Sequence, residues 1–136
     1  MVRPGGTVGM ASWIPHGPFY EMLEVRRKYG PPPPEGMPNP TDWGREEPVR
    51  ERFGGFAARI EAEPRAVPFR WPSPEAAWDF LDRVAPTQQA DREALSSEEY
   101  EALRLEVLEV FRRHTDESGA LPLDSPYLLV VARKRG

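Results

Sequence analysis

The hydrophobic and polar positions along the chain predict three strands. Residues 7–13 are mainly small or apolar and follow a turn, residues 56–63 alternate between apolar and polar side chains, and residues 127–133 are almost entirely apolar. Five consecutive apolar residues with a valine pair predict that the last strand is buried on both faces. A shorter extended piece at 67–71 contains Pro68, which restricts it to a sheet edge or to irregular structure.

Helical periodicity predicts about four helices, at residues 18–28, 45–53, 73–84 and 96–114. The last is the clearest, because Ser96 and Glu99 have the spacing of a capping box. Its apolar face contains five residues: Tyr100, Leu103, Val107, Val110 and Phe111. The proline-rich segment 31–40 predicts a stiff polyproline II connection, and a loop is expected at 86–89.

Length and composition restrict the function classes. A chain of 136 residues predicts a single domain, residues 1–136. No apolar run approaches the roughly 20 residues that cross a bilayer, and there is no N-terminal signal segment, so we expect a soluble, cytoplasmic protein without membrane contact. A net charge of −4 without a basic stripe argues against nucleic-acid binding. The absence of cysteine excludes thiolate chemistry, and no spacing of histidines and carboxylates predicts a metal site.

Four residues are candidates for contact with a small-molecule substrate: Trp13, His16, Phe19 and Trp78. Ligands of open α/β sheets bind beyond the carboxyl ends of strands, where Trp13 and the loop after it are expected. Each candidate also has a structural interpretation, since tryptophan and phenylalanine commonly fill cores and a histidine base needs a positioned partner. We expect the helices between residues 73 and 114 to cover an apolar cleft beside Trp13 and Phe19.

Several segments resemble class I S-adenosylmethionine-dependent methyltransferases. The Arg3-Pro4-Gly5-Gly6 turn into an apolar strand resembles the entry to strand five of that family. The segments 69–75 and 127–133 are similar to the C-terminal halves of the type 11 and ubiquinone/menaquinone-like small-molecule methyltransferases, and the likeness covers essentially all 136 residues. The family has seven strands in the order 3-2-1-4-5-7-6, with the seventh antiparallel to the others. The resemblance therefore implies an α/β fold with a three-stranded mixed sheet, equivalent to strands five, six and seven of a Rossmann-like sheet, and about four helices.

The family holds its cofactor on a glycine-rich loop and an acidic strand end, both in an N-terminal half that this sequence lacks. The glycine pairs at 5–6 and 54–55 precede strands instead of opening a helix after one. The resemblance thus implies an S-adenosylmethionine-dependent protein that acts on a small molecule, a fragment or split subunit inactive alone, in which residues 13–19 face the substrate. No catalytic residue can be carried over, and cofactor binding by this chain alone is not expected.

The alternative is a non-catalytic, homodimeric small-molecule-binding or assembly module. An apolar strand without a neighbour on one side invites pairing. We therefore expect a homodimer in which residues 7–13 pair or pack with the same residues of a second copy, or a rearranged or exchanged strand that hides the same edge. A missing N-terminal half is the other partner that the resemblance implies.

Overall fold

The computed structural model describes residues 2–136, and within them it has an α/β fold, as the sequence predicts. The strands are β1 (Thr7–Trp13), β2 (Ala57–Val67), β3 (Arg70–Trp71), β4 (Leu121–Pro122) and β5 (Ser125–Lys134). The α-helices are α1 (Pro18–Arg27), α2 (Glu46–Gly54), α3 (Pro74–Val84), α4 (Pro86–Ala94) and α5 (Ser97–Arg113), and a 3₁₀ helix spans Pro40–Gly44. No helix within residues 2–136 is both long enough and apolar enough to cross a membrane.

The larger sheet has three strands in the order β1-β5-β2. Both outer strands run antiparallel to β5; Val130 lies opposite Met10 on one side and opposite Ala62 on the other. The expectation of a mixed sheet is therefore wrong, because every neighbouring pair in it is antiparallel. Strands β3 and β4 form a separate two-stranded sheet.

Contacts along the chain divide it into two compact units. The sheet unit contains residues 2–16, 36–67 and 125–136, which include β1, the 3₁₀ helix, α2, β2 and β5. The helical unit contains residues 17–35 and 68–124, which include the other four helices and the β3–β4 pair. Each unit has its own hydrophobic core, and the single-domain organisation stays a prediction.

The core of the sheet unit lies on one face of the sheet. Val49 and Phe53 of α2 pack against the β5 residues that point to that face, which are Leu128, Val130 and Ala132. Alternate residues of β5 point to the other face, and Val131 is 37% exposed there. The prediction that this strand is buried on both faces is wrong, since it shows the strand alternation of an antiparallel sheet covered on one side.

Strand β2 differs from its predicted bounds and phase. It continues through Pro64 to Val67, which is possible because β2 is an edge strand with a single neighbour. An irregularity in the register between Ala57 and Arg59 shifts the alternation by one residue. Ala57 consequently joins the core, whereas Phe56, which was expected to face inward, is 39% exposed.

The helical unit confirms the capped helix. Ser96 Oγ accepts from the Glu99 N–H, and the Glu99 carboxylate accepts from the Ser96 N–H at 2.9 Å. Three residues of the predicted face, Leu103, Val107 and Phe111, have no exposed surface.

Two other expectations for this unit are wrong. Residues 86–94 form α4 instead of a loop, because Pro86 suits the first position of a helix. The helical spacing of Ala77, Trp78, Leu81 and Val84 predicts a buried stripe on α3, but Val84 is 48% exposed because it is the last residue of that helix.

Candidate functional site

The face of the sheet opposite the core carries the candidate site. A groove of about 600 Å³ lies there, entirely within the sheet unit. Its lining comes from all three strands of the sheet: Ala11, Ser12, Trp13, Arg65, Val67, Tyr127 and Leu129. This volume falls in the range of small-molecule sites, which are usually lined by apolar and aromatic side chains with few polar groups.

Three of these residues form a row across the strands. Tyr127 of β5 lies opposite Trp13 of β1 and opposite Arg65 of β2. Side chains that are directly opposite in neighbouring strands share a face and interact. The Trp13 and Tyr127 rings meet edge to face, with their centroids 6.4 Å apart, and Trp13 is 42% exposed. The row therefore presents two aromatic rings and one guanidinium to the same groove.

Arg65 supplies the positive charge of the groove. Its Nη2 lies 3.0 Å from a carboxylate oxygen of Glu63, two residues earlier on the same strand. The Glu63 carboxylate raises the pKa of Arg65, and an interaction with the Tyr127 phenol adds to that shift. Arg65 keeps its charge at every pH of interest, and the ion pair positions the side chain on an exposed surface where it adds little stability.

The polar side chains in the lining of the groove are few: the Ser12 hydroxyl, the Arg65 guanidinium and the Tyr127 phenol. Its lining contains no carboxylate, no imidazole and no lysine. A flat apolar molecule can lie against the aromatic and aliphatic side chains, and the Arg65 guanidinium can donate hydrogen bonds to an acceptor or anionic group on that molecule. The groove thus fits a planar, weakly polar compound with one acidic or carbonyl substituent.

The four residues proposed from the sequence fall in different units. Trp13 lines the groove, and His16, in the same unit, is exposed, its backbone N–H donating to Ile14 O at 2.7 Å. Phe19 and Trp78 belong to the helical unit, where Phe19 packs against the core and Trp78 is 2% exposed with its ring centroid 5.8 Å from that of Tyr100. Within its own unit Trp78 is a core residue. Contact of these side chains with a substrate, and the cleft expected between them, stay predictions.

Sequence reasoning missed Arg65 and Tyr127. Tyr127, Leu129 and Val131 share one face of β5, but the residues between them are apolar too. The sequence pattern of β5 therefore does not show which residues share a face. A signal did exist in β2, where Arg59, Glu61, Glu63 and Arg65 recur at every second position and indicate a solvent-facing side of the sheet.

A cluster of titratable side chains in the helical unit is centred on Glu21. Glu21 of α1 accepts from Arg113 at 3.1 Å and lies 2.9 Å from His114 Nε2 at the end of α5. Partial burial opposes ionisation of Glu21, but the hydrogen bonds from Arg113 and His114 outweigh it and lower the pKa of this carboxyl. The cluster joins α1 to α5. No group of three or more histidine, aspartate or glutamate residues that could hold a metal ion occurs in the described part of the chain.

The described glycines do not fit the cofactor that the resemblance implies. A nucleotide-binding loop needs several glycines between a strand and the N-terminus of a helix. Of the glycines with positive φ, only Gly17 stands in such a place, and Pro18 after it has no N–H to offer. Gly54 lies at the opposite end of a helix, as the last residue of α2. Residues 2–136 therefore offer no cradle of this kind for S-adenosylmethionine.

Comparison with known proteins relates the chain to longer bacterial proteins. No protein-family model matches it. The uncharacterized proteins Rv1405c of Mycobacterium tuberculosis and Mb1440c of Mycobacterium bovis are 30% identical to it over an alignment 140 positions long, which covers 98% of this chain and 48% of each relative. A second protein of Mycobacterium tuberculosis, the uncharacterized protein Rv1403c, is 28% identical over 97% of the chain and 48% of its own length. The chain spans about half the length of the curated relatives it matches.

Proposed function

We propose that this chain is the substrate-binding half of an S-adenosylmethionine-dependent methyltransferase-like protein that acts on a small molecule and is inactive without its other half. The strand order carries the proposal. The methyltransferase resemblance implies that strands five, seven and six lie side by side with the seventh antiparallel to both, and β1, β5 and β2 lie in that arrangement.

The groove supports a substrate-facing role for this half. It lies where β1 ends, at Trp13, and the carboxyl end of a strand is where open α/β sheets receive their ligands. The aromatic pair with Arg65 favours a planar aromatic substrate that carries a carboxylate or a carbonyl group. His16, three residues after Trp13, stays a proposed contact of the loop that follows β1.

The cofactor belongs to the other half in this proposal. S-adenosylmethionine would supply the methyl group, and the residues of this chain would bind and orient the acceptor while shielding one side of it from water. Both the partner half and a cytoplasmic location are parts of the proposal.

A second candidate is a homodimeric module that binds a small molecule without chemistry. The groove favours it in one respect, since none of its lining residues is an acid, a lysine or an imidazole. In that case the ligand would be bound without being modified.

Calorimetric titration with S-adenosylmethionine tests the first proposal. We expect full-length Rv1405c to bind the cofactor and this chain alone to release no heat of binding. A chimera of Rv1405c that carries this chain in place of the matching half should bind the cofactor again. Adenosine serves as a control for contacts that need only the nucleoside. A full-length relative that does not bind S-adenosylmethionine would overturn the methyltransferase proposal and leave the binding module.

A fluorescence titration with 2-naphthoate tests the groove in either case. Arg65→Gln is expected to weaken binding about tenfold, the loss of one charge-assisted hydrogen bond worth roughly 1.4 kcal/mol. Arg59→Gln is the matched control, because Arg59 lies on the same strand, is paired with Glu61 and does not line the groove. Equal affinities of the two variants would remove Arg65 from the site.

A further inference from the structure

The two edges of the three-stranded sheet differ in how they resist pairing with another strand. Strand β2 carries a proline, Pro64, and an irregularity in its register at Ala57. The open-face residues in the middle of this strand are charged: Arg59, Glu61, Glu63 and Arg65. Strand β1 has no charged residue, no proline and no register irregularity from Thr7 to Trp13. Free sheet edges in monomeric proteins are normally protected by such charges, prolines and bulges, so β1 has the character of a strand with a neighbour on both sides.

The hydrogen bonds of β1 show which of its backbone groups point away from β5. Ile14 N–H donates to Pro126 O, and Lys134 N–H donates to Gly6 O, each at 2.9 Å. Gly6 and Ile14, which flank β1, are therefore bonded to residues of β5. Because the direction of backbone groups alternates along a strand, the even-numbered residues of β1 direct their N–H and C=O groups towards β5 and the odd-numbered ones direct theirs away from it. The groups directed away from β5 in the open stretch belong to Thr7, Gly9 and Ala11.

The open stretch ends at Trp13. A Cβ atom on Gly44 would lie 1.8 Å from Trp13 O, so the 3₁₀ helix approaches this end of β1 as closely as only glycine allows. At Gly9, in contrast, an added Cβ would have nothing within 4 Å. We call residues 7–11 of β1, with their outward backbone groups, the β1 edge.

The β1 edge continues into an uncovered apolar face. Residues Ala11 and Leu129 lie opposite each other on it, and Val131, opposite Gly9, is 37% exposed. The apolar part of this face spans β1 and β5, because the open-face residues of β2 from Arg59 to Arg65 are charged. Two strands about 4.8 Å apart and seven residues long give it a projected area of roughly 200 Å². Together with the unprotected β1 edge, this uncovered apolar strip offers a surface to a partner strand.

We propose that the β1 edge and the adjoining open face are the docking surface for a polypeptide segment equivalent to the half of the mycobacterial relatives outside the match. That polypeptide would add a strand beside β1 and close the groove from the open side. The match covers 98% of this chain, so the relatives contain this region together with about as many residues again. Those additional residues are enough to cover both the edge and the face.

A second copy of the chain is a poorer occupant. Two β1 edges can pair along five residues, a strip only about 17 Å long. Stable interfaces usually bury at least about 1,200 Å², and this pairing would leave the open face of both copies bare. The partner expected at this surface is thus a polypeptide with an uncharged strand that pairs with β1 and, before or after that strand, apolar residues that cover the open face.

The inference does not depend on methyl transfer. If the partner docks but S-adenosylmethionine does not bind, the docking surface stands and the methyltransferase proposal is wrong. If S-adenosylmethionine binds but the partner does not dock, the methyltransferase proposal stands and the docking surface is wrong.

Co-expression tests the surface. The part of Rv1405c outside the match is produced in the same cells as this chain, and the complex is recovered through a tag on this chain. We expect a one-to-one complex in sedimentation velocity and slower amide hydrogen exchange at Thr7, Gly9 and Ala11 than in the chain alone.

Gly9→Glu is the disrupting variant, because its side chain would enter open space and should leave the isolated chain folded. It is expected to weaken the complex at least tenfold, whereas Ala66→Glu, at an exposed position of β2 that points away from the open face, should leave it unchanged. Three results would each overturn the proposal: no complex, a complex insensitive to Gly9→Glu, or a dimer of the chain alone that protects the same three amides.

Discussion

The helical unit encloses its own core, whereas the sheet unit leaves one sheet face and one strand edge uncovered. In the helical unit Leu103, Val107 and Leu121 have no exposed surface. In the sheet unit Trp13 is 42% exposed and Val131 is 37% exposed, although both belong to strands. The buried apolar residues of the helical unit are used for its own packing, while Phe69, Phe80, Val84 and Leu105 are exposed on its surface. The apolar residues on the open face of the sheet unit are the ones that line a groove, where they are available for a ligand or a partner, and this places the candidate function in the sheet unit.

The largest effect is expected from Leu103→Ala, in the closed core. It removes a fully buried side chain and leaves a cavity, so the free energy of unfolding should fall by about 2–5 kcal/mol in urea denaturation. Leu105→Ala on the same helix is the control, because Leu105 is 51% exposed and should change stability by less than about 0.5 kcal/mol. Similar losses for both variants would mean that the helical unit is not closed around Leu103.

Two neighbouring leucines of β5 sharpen the comparison within one strand. Leu128 is 3% exposed and packs in the core, while Leu129 points into the groove. Leu128→Ala should lower the free energy of unfolding by about 2–4 kcal/mol, and Leu129→Ala by less than about 1 kcal/mol. The same denaturation experiment measures both. A large loss for Leu129→Ala would show that the open face is covered in solution.

The elements that depend on residues close together in the sequence, such as α5 and β1, were predictable from the sequence. The capping box and one-sided apolar stripe of α5 are both set by residues three or four apart, and the helix was predicted within a residue or two of its bounds. The pattern of β1 was equally local, since the turn before Thr7 and the small apolar residues after it identify a strand.

The open face was not predictable from periodicity because it depends on what lies above the sheet. The run from Tyr127 to Ala132 is apolar on both faces, and one of them is a surface because no helix or strand within residues 2–136 covers it fully, which leaves Val131 37% exposed. The groove shares this property. Arg65 and Tyr127 are 62 residues apart in sequence and meet only through the β2–β5 register, which no single-strand pattern reveals.

A smaller effect is expected at the start of α5, where the helical unit closes its longest helix. Ser96→Ala removes the side-chain acceptor of the Glu99 N–H and should lower the free energy of unfolding by about 1 kcal/mol. Ser97→Ala, one residue later and exposed, has no such acceptor role and is the matched control. Thermal unfolding followed by circular dichroism compares the two, and equal midpoints would indicate that the box does not stabilise the helix.

The smallest effect is expected at Asp116, which closes the loop between α5 and β4. Hydrogen bonds from Ser118 and Arg70 lower the pKa of Asp116 from 3.8 to about 2. Because the folded pKa lies below the unfolded one, the stabilisation is present above about pH 4 and is lost as the pH falls towards 2. Asp116→Asn keeps an oxygen that can accept from Ser118 and removes only the charge beside Arg70. The variant should therefore be slightly less stable than the wild type at neutral pH, and the difference should shrink as the pH drops below about 4. Urea denaturation over this range measures it, and a difference that stays constant or grows on acidification would show that the Asp116 carboxylate does not stabilise the helical unit.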